Sequence, residues 1–206
     1  MRTILLFVAL SSFYFNHAQK IVKKSIVDSG TSLVQIDAKN CYRIALSTAN
    51  GDEVIVEAVI DGEYKKDLLL NMHKEGGTLE IGTGFQPNFR NPNDKLSAHK
   101  VISITLNIVL PENLAVRVFG TNCNIEATGK YKNLNVTLDD GYCHLYNISE
   151  VANIVTQSGE IDVRGSEGSF RATSKYGTIV KEEIPDGHNR FFLTTTTGHI
   201  KIKKTD

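Results

Sequence analysis

Acidic and histidine side chains hold most of the chemistry this sequence has to offer, and their spacing decides what they could do. Glu126, Glu160, Asp162 and Arg164 fall at alternating positions of strand-like segments. Alternation of that kind turns such residues outward on one face. If the segments stack as parallel strands, Glu126 and Asp162 stand two strands apart, about 9.6 Å. An inverting pair that cleaves a glycosidic bond needs roughly 6.5–9.5 Å, so a polysaccharide hydrolase or lyase is one chemistry the pattern admits. Any charged sheet face produces such pairs, and plain solvation explains Glu126 and Asp162 more simply. Five histidines of the mature region, His73, His99, His144, His188 and His199, show no ligand spacing, whereas zinc needs three or four convergent ligands. His144 and His199 are expected to be solvated surface residues. Asp139-Asp140-Gly141 reads as a turn, since the Asp-containing nonapeptide of calcium-binding β-rolls is absent. No catalytic, cofactor-binding or metal-ligating residue is assigned from the sequence.

The sharpest short motif is Ile26-Val27-Asp28-Ser29-Gly30-Thr31-Ser32-Leu33, which resembles the active-site loop of aspartic proteases. In those enzymes two such loops bring two carboxylates together to share a proton. Here Asp28 has no second Asp-Ser/Thr-Gly to pair with, so an enzyme would have to form its dyad across a homodimer. A turn between two early strands, with Asp and Gly serving its geometry, accounts for the same residues.

The elements that must position these side chains are set by a repeat. Aligning Cys123, Gly141, Gly159, Gly177 and Gly198 gives spacings of 18, 18, 18 and 21 residues. Four apolar columns support the register. Seven residues before each marker stand Val116, Leu134, Ala152, Phe170 and Phe191; five before stand Val118, Val136, Ile154, Ala172 and Leu193. Two after stand Ile125, Cys143, Ile161, Ile179 and Ile200; four after stand Ala127, Leu145, Val163, Lys181 and Ile202. Lys181 alone breaks them. Each unit therefore supplies two short strands around a Gly-bearing turn. A single unit cannot bury its inner face, and successive units are expected to stack in sequence order, lining the columns into one narrow core. The marker glycines are expected at positive φ, and the small residues Gly120, Thr156, Ser174 and Thr195 fit the crowding of a turn.

Upstream, the vocabulary is the same but the period is lost. Tyr42, Ile44 and Leu46, then Asn50-Gly51-Asp52, then Val54-Ile55-Val56 carry hairpin signals, as does Gly76-Gly77 before Leu79 and Ile81. Residues 82–97, with Pro87 and Pro92, read as a long loop. Lys65 to His73 is the nearest approach to a helix. The expected fold is all-β: a single-stranded β-helix or β-solenoid with units of about 18 residues over 101–206, and an irregular β part over 19–100.

Residues 1–18 have the form of a secretory signal peptide, with Arg2, an apolar run and Ala18 before the mature chain. That run is shorter than the roughly 20 residues needed to cross a bilayer. The 23 Lys+Arg and 23 Asp+Glu of the whole chain balance, so there is no field to gather nucleic acid or anionic lipid. Cys41, Cys123 and Cys143 are too few for a disulfide framework. Cys143 should pack in the core, and a Cys41–Cys123 pair stays open. Asn135 and Asn147 match the glycosylation pattern, Asn147 serving more simply in a turn.

Leu110-Pro111-Glu112-Asn113, then Val116-Arg117-Val118, then phrases such as Ile154-Val155-Thr156-Gln157-Ser158-Gly159-Glu160-Ile161-Asp162-Val163 are similar to the DUF4097 "putative adhesin" family and to head GIN domain proteins. The resemblance covers about 101–203 well and the first half loosely. It implies a β-solenoid exported to the periplasm or cell surface, and no site residue; the signal-peptide-like start and the Ala18-Gln19 junction are similar to exported proteins of Bacteroidetes-type bacteria. The function expected is a non-catalytic, adhesin-like module binding an envelope protein or glycan.

Overall fold

A computed structural model describes residues 19–27, 30–90 and 102–205; the signal-peptide reading of 1–18, the Asp28 of the protease-like loop and His99 lie outside them. Among the described residues every regular element is a strand. They are β1 (Lys20–Val27), β2 (Leu33–Asp37), β3 (Cys41–Ala49), β4 (Glu53–Gly62), β5 (Leu68–Glu75), β6 (Thr78–Phe85), β7 (Ile102–Pro111), β8 (Ala115–Asn122), β9 (Asn124–Asp140), β10 (Tyr142–Thr156), β11 (Glu160–Gly165), β12 (Ser169–Ser174), β13 (Ile179–Lys181), β14 (Arg190–Thr195) and β15 (Ile200–Lys204).

These strands form a mixed sheet with two walls. One runs β1-β4-β7-β3-β9-β10-β11-β15-β13, with β1, β4 and β7 antiparallel and the rest parallel. The other runs from the antiparallel pair β5-β6 through β2 and β8 to the second halves of β9 and β10, then β14 and β12. The long strands β9 and β10 belong to both. Their inward residues meet in one apolar cluster that includes Ile44, Ile125, Leu145, Ile161 and Ile200 from the first wall, and Val34, Val116, Leu134, Ile154 and Leu193 from the second. Each fully buried side chain of this kind contributes about 1.5–3 kcal/mol.

The 18-residue register appears as pairing. Val116 lies opposite Leu134, Cys143 opposite both Ile125 and Ile161, and Ile154 opposite Val136. Beyond that point the units depart from sequence order. Ile161 pairs with Ile200 and Ile154 with Leu193, while Ile179 pairs with Ile200 and Phe170 with Phe191. The last unit of the chain, 190–204, is thus inserted between 142–163 and 169–181. The expectation of in-order stacking fails here, and the unit of Gly177 is the end of the stack.

That placement accounts for the column residues that are not buried. Phe191, Leu193, Ile200 and Ile202 are 2% exposed or less, but their neighbours on the end unit are not: Ile179 is 43% exposed, and Phe170 and Ala172 are half-buried. Lys181 occupies the fourth column on this end unit, and its Nζ sits 5.4 Å from the centre of the Phe170 ring. A charge pointing across an open end blocks further strand addition.

The marker glycines are needed for closeness rather than for backbone conformation. Among the four, Gly141 alone has positive φ, at 103°. A Cβ on Gly198 would stand 2.1 Å from the Gly159 carbonyl oxygen, and one on Gly177 would stand 1.9 Å from that of Gly198. The small residues three positions earlier bind these turns. Thr156 Oγ1 lies 2.8 Å from both the Gly159 carbonyl oxygen and Thr195 Oγ1. Gly198 N donates to Thr195 Oγ1 at 3.1 Å, and Gly177 N to Ser174 Oγ at 2.9 Å.

The N-terminal strands are built into the same walls. Val34 and Ile36 pair in parallel with Val116 and Val118, and Ile44 and Leu46 with Ile125 and Ala127. Residues 33–46 thus form a further unit, one residue longer, with a register irregularity between Cys41 and Arg43. The hairpin expected between Tyr42–Leu46 and Val54–Val56 does not form, because β7 lies between β3 and β4. Gly76-Gly77 does close the β5-β6 hairpin. Lys65–His73 is a turn followed by strand, not helix.

Candidate surface site on the outer face

The alternation that buries one side of the first wall presents the other as a flat face. One row crosses it through Glu57, Asn107, Ala45, Glu126, His144, Asp162 and Lys201, each opposite the next. A neighbouring row brings Thr128, Tyr146, Arg164 and Lys203 together. Glu126 and Asp162 therefore do share a face two strands apart, with His144 between them.

Their surroundings are those of neutralised charges. Arg43 Nε and a terminal nitrogen donate to the two Glu126 carboxylate oxygens at 2.9 and 2.5 Å, and Tyr142 Oη donates to Oε1 at 3.1 Å. The Arg43 hydrogen bond holds Glu126 below the usual carboxylate range, with Tyr142 adding to it. A glycosidase acid needs its proton retained, which requires a shift upward. Lys201 Nζ, 2.5 Å from Glu160 Oε1, likewise lowers Glu160. Asp162, expected to be solvated, is 7% exposed; His144 and Lys201 stand on either side of it in the row, and Arg164 Nε approaches Oδ1 at 3.4 Å. An exposed ion pair is worth at most about 1 kcal/mol, so these contacts fix side chains in place more than they hold the fold together.

An aromatic stripe runs along β10. His144 stacks on Tyr142 with ring centres 4.3 Å apart and meets Tyr146 edge-on at 6.4 Å. Arg164 packs over the Tyr146 ring at 5.5 Å. His144 is accordingly half-buried, not fully solvated. His199 is exposed, its Nδ1 close to the amide and hydroxyl of Thr178 at 3.0 and 2.8 Å. Beside the stripe the face dips. Ala45 and Ser47 floor a trough of about 340 Å³ whose sides include Asn107, Glu126, Thr128 and Tyr146.

Tyr142 and Tyr146 were not singled out from the sequence. The signal available was the alternation Tyr142-Cys143-His144-Leu145-Tyr146, which places three rings outward once Cys143 is inside.

Among the described residues no group of three or more His, Cys, Asp and Glu side chains converges as a metal site. The three cysteines are free, buried thiols, so the Cys41–Cys123 bridge that the sequence left open is not formed. Burial pushes each of them up to about 12. Asp28 is not described, but its sequel is: Ser32 and Leu33 donate their backbone amides to the Gly77 carbonyl oxygen at 2.9 and 3.1 Å, leading the chain into β2.

No family model matches the chain, and no curated protein does. Solved structures do match. A "putative cell adhesion protein" from Clostridium sporogenes is 16% identical, with a TM-score of 0.62 over 91% of this chain and 100% of its own. A "putative adhesin" from Bacteroides fragilis is 12% identical over 92% of this chain and 99% of its own, with a TM-score of 0.32. What the first of these likenesses establishes is a common all-β fold.

Proposed function

We propose that this chain is a non-catalytic, exported β-solenoid module that engages another component of the cell envelope through the outer face of its first wall. In this reading residues 1–18 direct export to the periplasm or cell surface. The regular part, 101–206, winds in units of about 18 residues, and the irregular part, 19–100, continues it. The observation that carries the reading is the state of the face. Its carboxylates Glu126 and Glu160 are ion-paired and lowered, while aromatic rings stand partly exposed between them. Fixed, neutralised polar groups around aromatic surface suit recognition, since binding surfaces gain when side chains are already held in place. The fold shared with the "putative cell adhesion protein" from Clostridium sporogenes points the same way.

The test is sedimentation of the purified mature chain with isolated bacterial envelopes. Tyr142→Ala combined with Tyr146→Ala should abolish co-sedimentation while leaving the unfolding transition cooperative. Turnover of a polysaccharide that disappears in Glu126→Gln would overturn the non-catalytic reading, and so would binding indifferent to the two tyrosines overturn the choice of face.

A further inference from the structure

The trough beside Tyr146 has a definite chemistry. We infer that it is a subsite for one pyranose ring of a neutral saccharide, an inference that rests on the binding-module reading above. Its depth comes from sequence: Ala45 and Ser47, the small outward residues of β3, lie between the longer side chains of β7 and β9, so the otherwise flat sheet dips there. The volume, about 340 Å³, falls at the small end of the roughly 300–1,000 Å³ of ligand sites.

The lining selects among ligands. Tyr146, Ala45 and Val109 give an apolar side and floor, while Ser47, Thr128, Asn107 and Glu126 give hydroxyl, amide and carboxylate groups around it. A pyranose has the matching duality: a C–H face to lie on a ring and a rim of hydroxyls that both donate and accept. The charged groups exclude other classes. An anion would meet the Glu126 carboxylate, and a cation would have to displace Arg43 from its two-pronged contact at 2.9 and 2.5 Å. A purely apolar chain would strip water from the polar groups without replacing their hydrogen bonds.

The polar partners are also held ready. Arg43 and Tyr142 hold Glu126 in place, Asn107 Nδ2 donates to Glu57 Oε1 at 3.3 Å, and Arg164 and His144 brace the Tyr146 ring from other sides. A sugar therefore meets a wall that loses little freedom on binding.

The experiment is an NMR titration of the isotope-labelled mature chain with three soluble trisaccharides, built of β-1,4-linked N-acetylglucosamine, β-1,4-linked glucose and α-linked mannose. Phosphocholine serves as a charged comparison. At least one trisaccharide should move the amide signals of Ser47, Asn107 and Thr128 together, and Tyr146→Ala should weaken that binding about tenfold, the equivalent of about 1.4 kcal/mol. Ala45→Phe, which fills the dip, should abolish it, while Tyr176→Ala, on the end unit, should change nothing. Silence with all three sugars, shifts centred elsewhere, or a preference for phosphocholine would each overturn the subsite. Envelope co-sedimentation that persists after such a result leaves the broader reading standing, and its loss brings both down.

Discussion

Replacing Gly198 by Ala isolates the claim that the turns are glycine because adjacent units approach too closely for a side chain. Gly198 is not at positive φ, so the substitution adds no backbone strain and tests proximity alone. The new Cβ would stand 2.1 Å from the Gly159 carbonyl oxygen, about 1.3 Å short of the 3.4 Å at which ordinary contact begins. The Cβ is fixed to its own backbone and the oxygen it meets is backbone, so neither can swing away. The turn must therefore lift from its neighbour, and the hydrogen bonds between them lie in its path. Thr196 N and Thr197 N donate to the Gln157 carbonyl oxygen at 3.1 and 2.9 Å, and Ile161 N to that of His199 at 2.9 Å. At about 1 kcal/mol net for each bond, losing these costs about 3 kcal/mol. In a domain of this size that lowers the melting temperature by roughly 6–12 °C. Gly84→Ala is the control: its Cβ would meet only Asn71 Nδ2, at 3.4 Å, and its effect should stay within about 0.5 kcal/mol. The assay is equilibrium urea unfolding of both variants beside the parent chain. Equal stability of Gly198→Ala and Gly84→Ala would refute the close-approach argument.

Four further outcomes are expected. Thr156→Val keeps the side-chain shape but removes a hydroxyl that is 2.8 Å from two polar neighbours and 3% exposed; urea unfolding should show a loss of about 1–3 kcal/mol, against about 0.5 or less for Thr197→Val at the exposed position. With thiol pKa values near 12, only about one cysteine in ten thousand is thiolate at pH 8, so the native chain should resist a thiol reagent that labels all three cysteines after denaturation. Glu126 is lowered in the folded chain, so its contribution is present above the unfolded carboxylate range of about 4.3 and is lost as pH falls through the folded value; stability of Glu126→Gln should fall less steeply on acidification, and an unchanged acid limb would count against the Arg43 contact. Lys181→Ile completes the broken column on the open end unit, and light scattering should report association that rises with concentration.

How far the sequence could be read depended on whether a feature was periodic. Outside the end unit of Gly177, the four columns name the inside from Val116 to Ile202, because a two-residue alternation repeated at a fixed interval is visible without knowing what pairs with what. Lys181 was legible as an exception but not as a cap, since sequence order says nothing of which unit ends the stack. The outward face follows from the inward one, yet the burial of Asp162 does not, because alternation gives direction and not cover. The unit at 33–46 was missed for a local reason. The irregularity at Cys41 adds one residue, which displaced Ile44 and Leu46 from the common interval and let them pass for a hairpin strand. The trough was invisible because it is made by the shortness of Ala45 and Ser47 relative to strands 60 or more residues away in sequence.

The insertion of residues 190–204 between two earlier units has a consequence in time. Among the described residues, strands β12 and β13 find their parallel partners only in β14 and β15, which are made after them. Until those residues arrive, the unit 169–181 lacks its native partners, and the edge at β10 and β11 stays open. Folding at this end must be a single late event in which two units settle together, with a correspondingly large loop closed at once. A chain cut after residue 189 would accordingly shed two units of stability for the removal of one, and unfolding from this end would begin by releasing both.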